Sequence, residues 1–323
     1  MAVNRVVSDA IIDRRVIPAE AVESWWNAPD GHAIRRIDWS SLSPSPRGSI
    51  LFLPGRGDAY EKYLETLHQW HLAGWRVTAA DWRGQAGSGR LGDDAVTGHI
   101  EDFAYWVDDL AALWSAWKAE TQGPHILMGH SMGGHLVMRS VVEGRVDPDA
   151  IALSAPMLGF FGNILPNGFM HNAAKLMRRF RGATTPAWKW SEKPGEIPIG
   201  RINLLTHDKD RYEDELFWRE KRPEIVMGPG SWGWVERAYA SMRKVFEPGV
   251  LEAVKTPVLL VGTSNDKLVD MKAIEEAAKR LPNGELLAFG KEAHHEILRE
   301  VDTVRDRAMG GIAVFLDRVV PAK

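Results

Sequence analysis

Ile126-Leu127-Met128-Gly129-His130-Ser131-Met132-Gly133-Gly134-His135-Leu136-Val137-Met138 is the stretch that decides the fold. Three apolar residues run into Gly129-His130-Ser131-Met132-Gly133, and Gly134–Val142 leaves it as a largely apolar run. The Gly-x-Ser-x-Gly string alone is weak evidence in a glycine-rich chain. A short buried strand before it and a buried helix after it give it a meaning: a serine held on a tight strand-to-helix corner. Only glycines tolerate the close approach of backbone at such a corner, which exposes the serine Oγ at the carboxyl edge of a sheet. The N–H of Met132 then points at the position where an oxyanion develops. The plainer reading is a glycine turn between strand and helix with no chemistry attached.

Working outward, Ser49–Leu53, Trp75–Ala80, Ile151–Leu153, Pro257–Val261 and Leu286–Phe289 are further short apolar runs with the length of strands. Tyr60, Tyr63, Leu64, Leu67 and Trp70 recur at helical spacing, with Asp58 and Glu61 placed as N-cap and capping partner. Phe103, Trp106, Val107, Leu110, Trp114 and Trp117 form one helical stripe behind Glu101 and Asp102. Met271–Leu281 and Glu296–Val319 complete the helices. Strands alternating with helices imply a mostly parallel α/β sheet covered on both faces. Trp25–Asn27 and Ala33–Trp39 are expected as an antiparallel pair at its N-terminal edge. Ser40–Pro46 reads as a turn-rich connection. The rhythm breaks after Pro156: residues 157–234, rich in Phe, Trp, Pro, Gly and Arg, are expected to form an insertion over a core of residues 1–156 and 235–323.

A serine hydroxyl needs a base to take its proton and a third group to orient that base. On sheets of this kind the order along the chain is Ser, then Asp or Glu, then His. The loop Gly262-Thr263-Ser264-Asn265-Asp266-Lys267-Leu268-Val269-Asp270 follows a strand. Asp266, in its middle, is the better acid; Asp270, at the start of the next helix, is read as an N-cap. The following loop carries His294 and His295, either of which completes the order. A second oxyanion donor belongs in Pro54-Gly55-Arg56-Gly57-Asp58, and Arg56 N–H is the expected group. Arg56-Gly57-Asp58 also spells an adhesion tripeptide, for which a loop and helix cap is the plainer reading.

Composition narrows the alternatives. Forty Lys and Arg against 43 Asp and Glu leave a net charge of -3, which gives no reason to expect a nucleic-acid partner. With no cysteine there is no disulfide, thiolate metal site or cysteine nucleophile, as a reducing compartment would allow. His99, His125, His130 and His135 lack metal-ligand spacing, so no metal and no cofactor are expected. Gly84-Gln85-Ala86-Gly87-Ser88-Gly89 is not followed by Gly-Lys-Ser/Thr and is no phosphate loop. Fourteen Trp exceed ordinary usage, so several must line clefts or helix seams. No run reaches the ~20 apolar residues of a membrane span, and Met1–Arg15 lacks the apolar core of a secretory signal. A cytoplasmic protein that at most touches a membrane surface is expected.

Asp81-Trp82-Arg83-Gly84-Gln85-Ala86-Gly87-Ser88-Gly89-Arg90, Gly129-His130-Ser131-Met132-Gly133-Gly134 and His295-Glu296-Ile297-Leu298 with Glu300 resemble the α/β-hydrolase-fold serine hydrolases. More narrowly they resemble the bacterial lysophospholipase L2 and monoacylglycerol lipase group. The likeness runs from about Gly48 and includes Leu205–Asp208 through Gly228–Trp234 of the insertion, similar to the cap of the lysophospholipase branch. It implies an α/β-hydrolase fold with an inserted cap, Ser131 as nucleophile, Asp266 as acid, His295 as base, and the main chains of Arg56 and Met132 as oxyanion donors. The sequence departs from the family at Pro54-Gly55, where His-Gly is usual.

The implied activity is hydrolysis of a small-molecule acyl ester, a lysophospholipid or monoacylglycerol. A generic carboxylesterase, thioesterase or peptidase with the same triad competes with it, as does a catalytically silent ligand receptor. Ser131 argues against the Asp-nucleophile dehalogenases and epoxide hydrolases of this fold. Phe160 and Phe161, in the apolar run Pro156–Leu165, are expected near the acyl chain. Arg178 and Arg179, in a basic amphipathic segment with Lys175 and Arg181, are expected at the head group or at an anionic membrane surface. A packed cap seam and a solvated charged face are the plainer readings of these two segments.

Overall fold

The computed structural model describes residues 12–42, 46–162, 167–189 and 200–321. The first eleven residues, Ser43–Ser45 of the turn-rich connection, and Ile164 and Leu165 of the apolar run lie outside them. Eight strands form one sheet: β1 (Ala21–Asn27), β2 (Ala33–Trp39), β3 (Ser49–Leu53), β4 (Arg76–Ala80), β5 (His125–His130), β6 (Ala150–Ser154), β7 (Val258–Thr263) and β8 (Gly284–Phe289). Their spatial order is β1-β2-β4-β3-β5-β6-β7-β8. β1 pairs antiparallel with β2, and β2 with β4; every later pairing is parallel. This is the mostly parallel α/β sheet, with an antiparallel edge, that the apolar runs call for.

The strands read as continuous apolar runs because helices cover both faces. Alternate residues of one strand enter different cores. Leu51, Leu53, Leu127, Ile151, Leu153, Val258 and Leu260 pack with Trp106, Trp117, Leu136 and Val137 from α2 (Ala104–Glu120) and α3 (Ser131–Val142). Ile50, Phe52, Ile126, Met128, Ala152, Leu259 and Val261 pack with Leu67 and Trp70 from α1 (Leu64–Leu72) and with Ile312 and Phe315 from α9 (Asp302–Val319). The tryptophans fill these seams: Trp114 and Trp117 meet at 5.4 Å. Between β6 and β7 lie α4 (Asn167–Arg181), α5 (Ile202–Leu205), α6 (Lys209–Lys221) and α7 (Trp232–Val245), with no strand of the sheet among the described residues. α8 (Met271–Arg280) follows β7, with Asp270 Oδ1 accepting from Lys272 N at 3.0 Å as its N-cap.

Two local expectations need correction. Asp58 and Glu61 do not form a capping pair. The chain enters a 3-10 turn at Tyr60–Tyr63 with no side-chain cap, and both carboxylates are buried in ion pairs. Glu296–Val319 is not one helix: a 3-10 turn at Ile297–Arg299 stops at Glu300, whose backbone is extended and whose carboxylate accepts from His294 N and His207 N. No helix among the described residues is long and apolar enough to cross a membrane.

Parallel register carries the chemistry to one edge. Leu53 lies opposite Gly129, and His130 opposite Ser154. The loops after β3, β5, β6, β7 and β8 therefore all leave the carboxyl side of the sheet, where ligands of open α/β sheets bind.

Candidate active site

Ser131 sits between β5 and α3 with φ +51°, in the left-handed region. A non-glycine residue there costs on the order of 1–3 kcal/mol and persists only where its surroundings impose it. Here they do. A Cβ on Gly133 would stand 2.3 Å from the carbonyl oxygens of both Leu53 and Pro54, and one on Gly129 would stand 2.7 Å from Gly134 N. Helix and strand backbones are in contact at these glycines, so the intervening chain turns sharply and carries Ser131 at its apex. The structure thus supplies the strand–turn–helix corner that the sequence string requires. Ser131 O accepts from Met157 N at 2.9 Å, which ties the start of the insertion to the corner.

Of the two histidines, His295 meets Asp266. Its Nδ1 lies 2.7 Å from Asp266 Oδ2, and both side chains are buried. Asp266 Oδ1 accepts from Leu268 N at 2.7 Å and Val269 N at 3.0 Å, which fixes the carboxylate in its loop. Burial would raise the Asp266 carboxyl, but the facing imidazole and these N–H groups hold it below the usual carboxylate range. Burial would likewise depress His295; Asp266, Glu296 and Asp58 outweigh it and hold the imidazole above the ordinary histidine value. With Asp266 ionised, Nδ1 carries the proton and Nε2 remains as the acceptor. His294 turns the other way and stacks on His207 at 3.9 Å.

His130, 4.7 Å from His295 between ring centroids, is driven down to about 4 by burial and by its neighbour, so near neutral pH it carries no charge.

The loop after β3 is fixed from several sides. Trp82 Nε1 donates to Pro54 O at 2.8 Å, Gly55 N donates to Asp58 Oδ2 at 3.1 Å, and Gly57 N donates to Gln85 Oε1 at 2.9 Å. Arg56 sends its side chain toward the insertion: Nη2 donates to Gly228 O at 2.6 Å, and the guanidinium lies 5.0 Å from the Trp188 ring and 5.2 Å from the Trp234 ring. Met132 is fully buried beside Gln85. Pro54, which stands where the family usually has histidine, is held through its carbonyl.

The four other residues singled out separate. Phe160 is half-buried, bridges to Val269 in the Asp266 loop, and packs edge-on against Tyr239 at 5.1 Å. Phe161 is half-exposed, with Lys267 Nζ 4.9 Å from its ring. Arg178 pairs with Glu236 at 3.2 Å and Glu101 at 3.5 Å, and so pins α4 to α7 and to the segment before α2. Arg179 is exposed. Among the described residues no group of three or more His, Cys, Asp or Glu is arranged to hold a metal ion.

Sequence reasoning missed the buried charges behind the site, where Lys62, Asp58, Glu296, Glu215 and Arg299 converge. No local signal marks them: on the helical spacing of Tyr60, Tyr63, Leu64 and Leu67, Lys62 falls on the side away from the apolar stripe.

The sequence family described as serine aminopeptidase, S33 (Hydrolase_4) matches residues 44–302. Lysophospholipase L2 of Escherichia coli K12 is 33% identical over 284 residues, spanning 83% of this chain and 80% of that protein. Monoacylglycerol lipase of Mycolicibacterium smegmatis is 30% identical over 269 residues, spanning 82% of this chain and 88% of that protein. Among solved structures, a soluble variant of the Saccharomyces cerevisiae monoglyceride lipase superposes with a TM-score of 0.71 at 19% identity. It covers 94% of this chain and 96% of its own. A carboxyl esterase of Bacillus coagulans gives 0.68 at 15% identity, covering 94% and 100%; likenesses at these identities speak for the fold. The chain belongs to the serine aminopeptidase, S33 family of α/β-hydrolases, in the group that resembles lysophospholipase L2 and the monoacylglycerol lipases.

Proposed function

We propose that the protein hydrolyses the carboxylic ester of a single-chain acyl lipid, a lysophospholipid or monoacylglycerol, through an acyl-enzyme on Ser131. One observation carries the reading: a buried, ionised Asp266 orients His295 at the same sheet edge where a strained corner presents Ser131. In this mechanism His295 Nε2 takes the Ser131 proton as Oγ attacks the ester carbonyl. The oxyanion is received by the main-chain N–H groups of Arg56 and Met132. Collapse expels the alcohol, which takes the proton from His295 and leaves the acyl group on Ser131. Water then attacks with His295 taking its proton, and collapse returns that proton to Ser131 Oγ as the acid departs. Asp266 stays ionised throughout and stabilises the imidazolium. No metal or cofactor enters any step.

The substrate class rests on the names of the relatives and on the chemistry of the insertion. Residues 157–234 are proposed as the cap, with Phe160 beside the Asp266 loop as an apolar wall for the acyl chain. Phe169, Leu176 and Phe180 of α4 are 59%, 55% and 74% exposed, flanked by Lys175, Arg179 and Arg181 in a helix with no acidic residue. Such a face suits peripheral contact with an anionic lipid surface, at the inner face of a membrane for a cytoplasmic protein. The test is hydrolysis of matched monoacyl and diacyl esters of graded chain length, with amides alongside. Preference for the monoacyl lipids is expected; preference for amides or diacyl lipids refutes the substrate assignment.

A further inference from the structure

Lys62 takes no part in the chemistry above, yet its side chain is only 3% exposed. Its Nζ lies 2.5 Å from Asp58 Oδ1, 2.5 Å from Glu296 Oε1 and 3.1 Å from Glu215 Oε2. The three carboxylates come from three separate parts of the molecule. Asp58 closes the loop that presents Arg56, and its other oxygen accepts from Gly55 N at 3.1 Å and Tyr63 Oη at 2.9 Å. Glu296 directly follows His295. Glu215 belongs to α6 in the insertion and is itself held by Arg201 at 2.5 Å and Arg219 at 3.1 Å. Arg299 reaches both Glu296 and Glu215. Backbone bonds follow the same line: His295 N donates to Leu204 O at 3.3 Å and Glu296 N to Leu205 O at 2.8 Å, both at the end of α5.

An exposed lysine at the start of a helix is an ordinary solvated charge. A buried ammonium ringed by carboxylates is different, because each of those carboxylates is stable in the interior only while its partner is in place. We propose that Lys62 is a positioning residue for catalysis, holding the Arg56 loop and the His295 loop in register, with Glu215 extending the tie into the insertion. This inference rests on the roles given above to Ser131, His295 and Arg56. A misplacement of ~1 Å between donor and base is enough to cost about a hundredfold in rate, so a rigid link between the two loops acts on turnover more than on binding.

The ring also has an electrostatic signature. The charged and titratable groups around His295 are Asp266, Glu296, Asp58 and His130, with Lys62 and Arg299 behind the carboxylates. Removing the ammonium leaves Asp58 without its ion-pair partner and Glu296 with Arg299 alone, and pushes the imidazole pKa up. Neutralising Glu296 removes a negative neighbour and lets it fall. The two changes act with opposite sign on one measurable limb.

The experiment compares full-length parent, Lys62→Met, Glu296→Gln and Ser131→Ala on the soluble ester p-nitrophenyl acetate across pH, with thermal melts alongside. For Lys62→Met the expected result is a kcat loss of about tenfold or more, KM within about threefold, and an acid limb moved to higher pH. For Glu296→Gln, which keeps an oxygen for Lys62, a smaller kcat loss and an acid limb moved to lower pH are expected. A cooperatively melting Lys62→Met with parental kcat and an unmoved limb overturns the proposal, as do limbs that shift in the same direction. Should Lys62→Met fail to melt cooperatively, Glu296→Gln decides alone: a lowered limb supports the proposal and an unmoved one overturns it. Turnover retained in Ser131→Ala refutes the underlying triad and is read separately from the Lys62 result.

Discussion

The corner around Ser131 and the insertion between β6 and β7 are built by different means. At the corner, backbone touches backbone: the space beside Gly133 is closed by two carbonyl oxygens at 2.3 Å. Between β6 and β7 side chains do much of the tying of helix to helix, beside backbone bonds such as Trp232 N to Thr185 O at 3.0 Å. Arg178 spans Glu236 and Glu101, His171 Nε2 meets Glu236 Oε1 at 2.7 Å, and Arg56 is held near Trp188 and Trp234. Backbone sterics admit one residue type and leave a string that can be read locally. Side-chain ties admit many solutions between partners distant in sequence, so a helix of the same length can serve as seam, lid or membrane face.

The largest contrast lies within the proposed catalytic set. His295→Ala is expected to lower turnover by roughly ten-thousandfold or more, and Asp266→Asn by at least about a hundredfold. Their sequence neighbours should differ sharply. His294→Ala, stacked on His207, should stay within about tenfold of the parent, and Asp270→Asn should retain activity with at most a modest drop in melting temperature, since Asn is also an accepted N-cap. Exchanged phenotypes in either pair would move the acid or the base by that many residues.

Glycine substitutions compare the two construction modes directly. Gly133→Ala should cost more than ~3 kcal/mol or prevent folding, because Leu53 ends the β3–β5 pairing and Pro54 O is held by Trp82 Nε1, so neither carbonyl can retreat freely. Gly168→Ala in α4 meets nothing within 4 Å and should change stability by less than about 1 kcal/mol, toward greater stability. Equal destabilisation, read from denaturant midpoints, would erase the distinction.

The pH profile sharpens the comparison further. Only neutral imidazole accepts the Ser131 proton, and the pKa of His295 is raised in the folded protein. Activity is therefore lost as pH falls through that raised value, and the acid limb of kcat/KM should lie above the ~6.5 of an unperturbed histidine. A limb at or below that value would mean that burial, not Asp266, dominates His295.

The smallest expected effects fall in α4. Arg178→Ala should lower stability by about 1 kcal/mol or less, since its ion pairs are partly exposed. Arg179→Ala should leave the melting temperature unchanged and weaken hydrolysis only in anionic micelles. Loss on a short soluble ester as well would assign Arg179 to structure.

The sheet was legible in the sequence because each central strand is a short apolar run ended by a glycine or a polar turn, and the catalytic order followed from which strand each loop leaves. The choice between His294 and His295 was not legible from local pattern, since two adjacent histidines differ only in which way the loop turns them. The resemblance to a family resolved it in favour of His295, which the Asp266 contact matches. Asp58 and Glu61 were read as helix caps because their spacing fits a capping box. Asp58 pairs instead with Lys62, four residues on and itself held by Glu296 from 234 residues away, and Glu61 pairs with Arg35 and Arg222, 26 and 161 residues away. The tie made by Arg178, a residue expected at a head group or an anionic surface, was equally out of reach of local pattern: its partner Glu236 lies 58 positions along the chain.

The proposed chemistry stands on Ser131 as the nucleophile activated by His295 and Asp266. Its most direct test is labelling of the purified protein with a fluorophosphonate, followed by intact-mass measurement and peptide mapping. One adduct is expected, on the peptide containing Ser131, absent in Ser131→Ala and formed far more slowly in His295→Ala. No adduct on the folded parent, or an adduct that persists in Ser131→Ala, would contradict it.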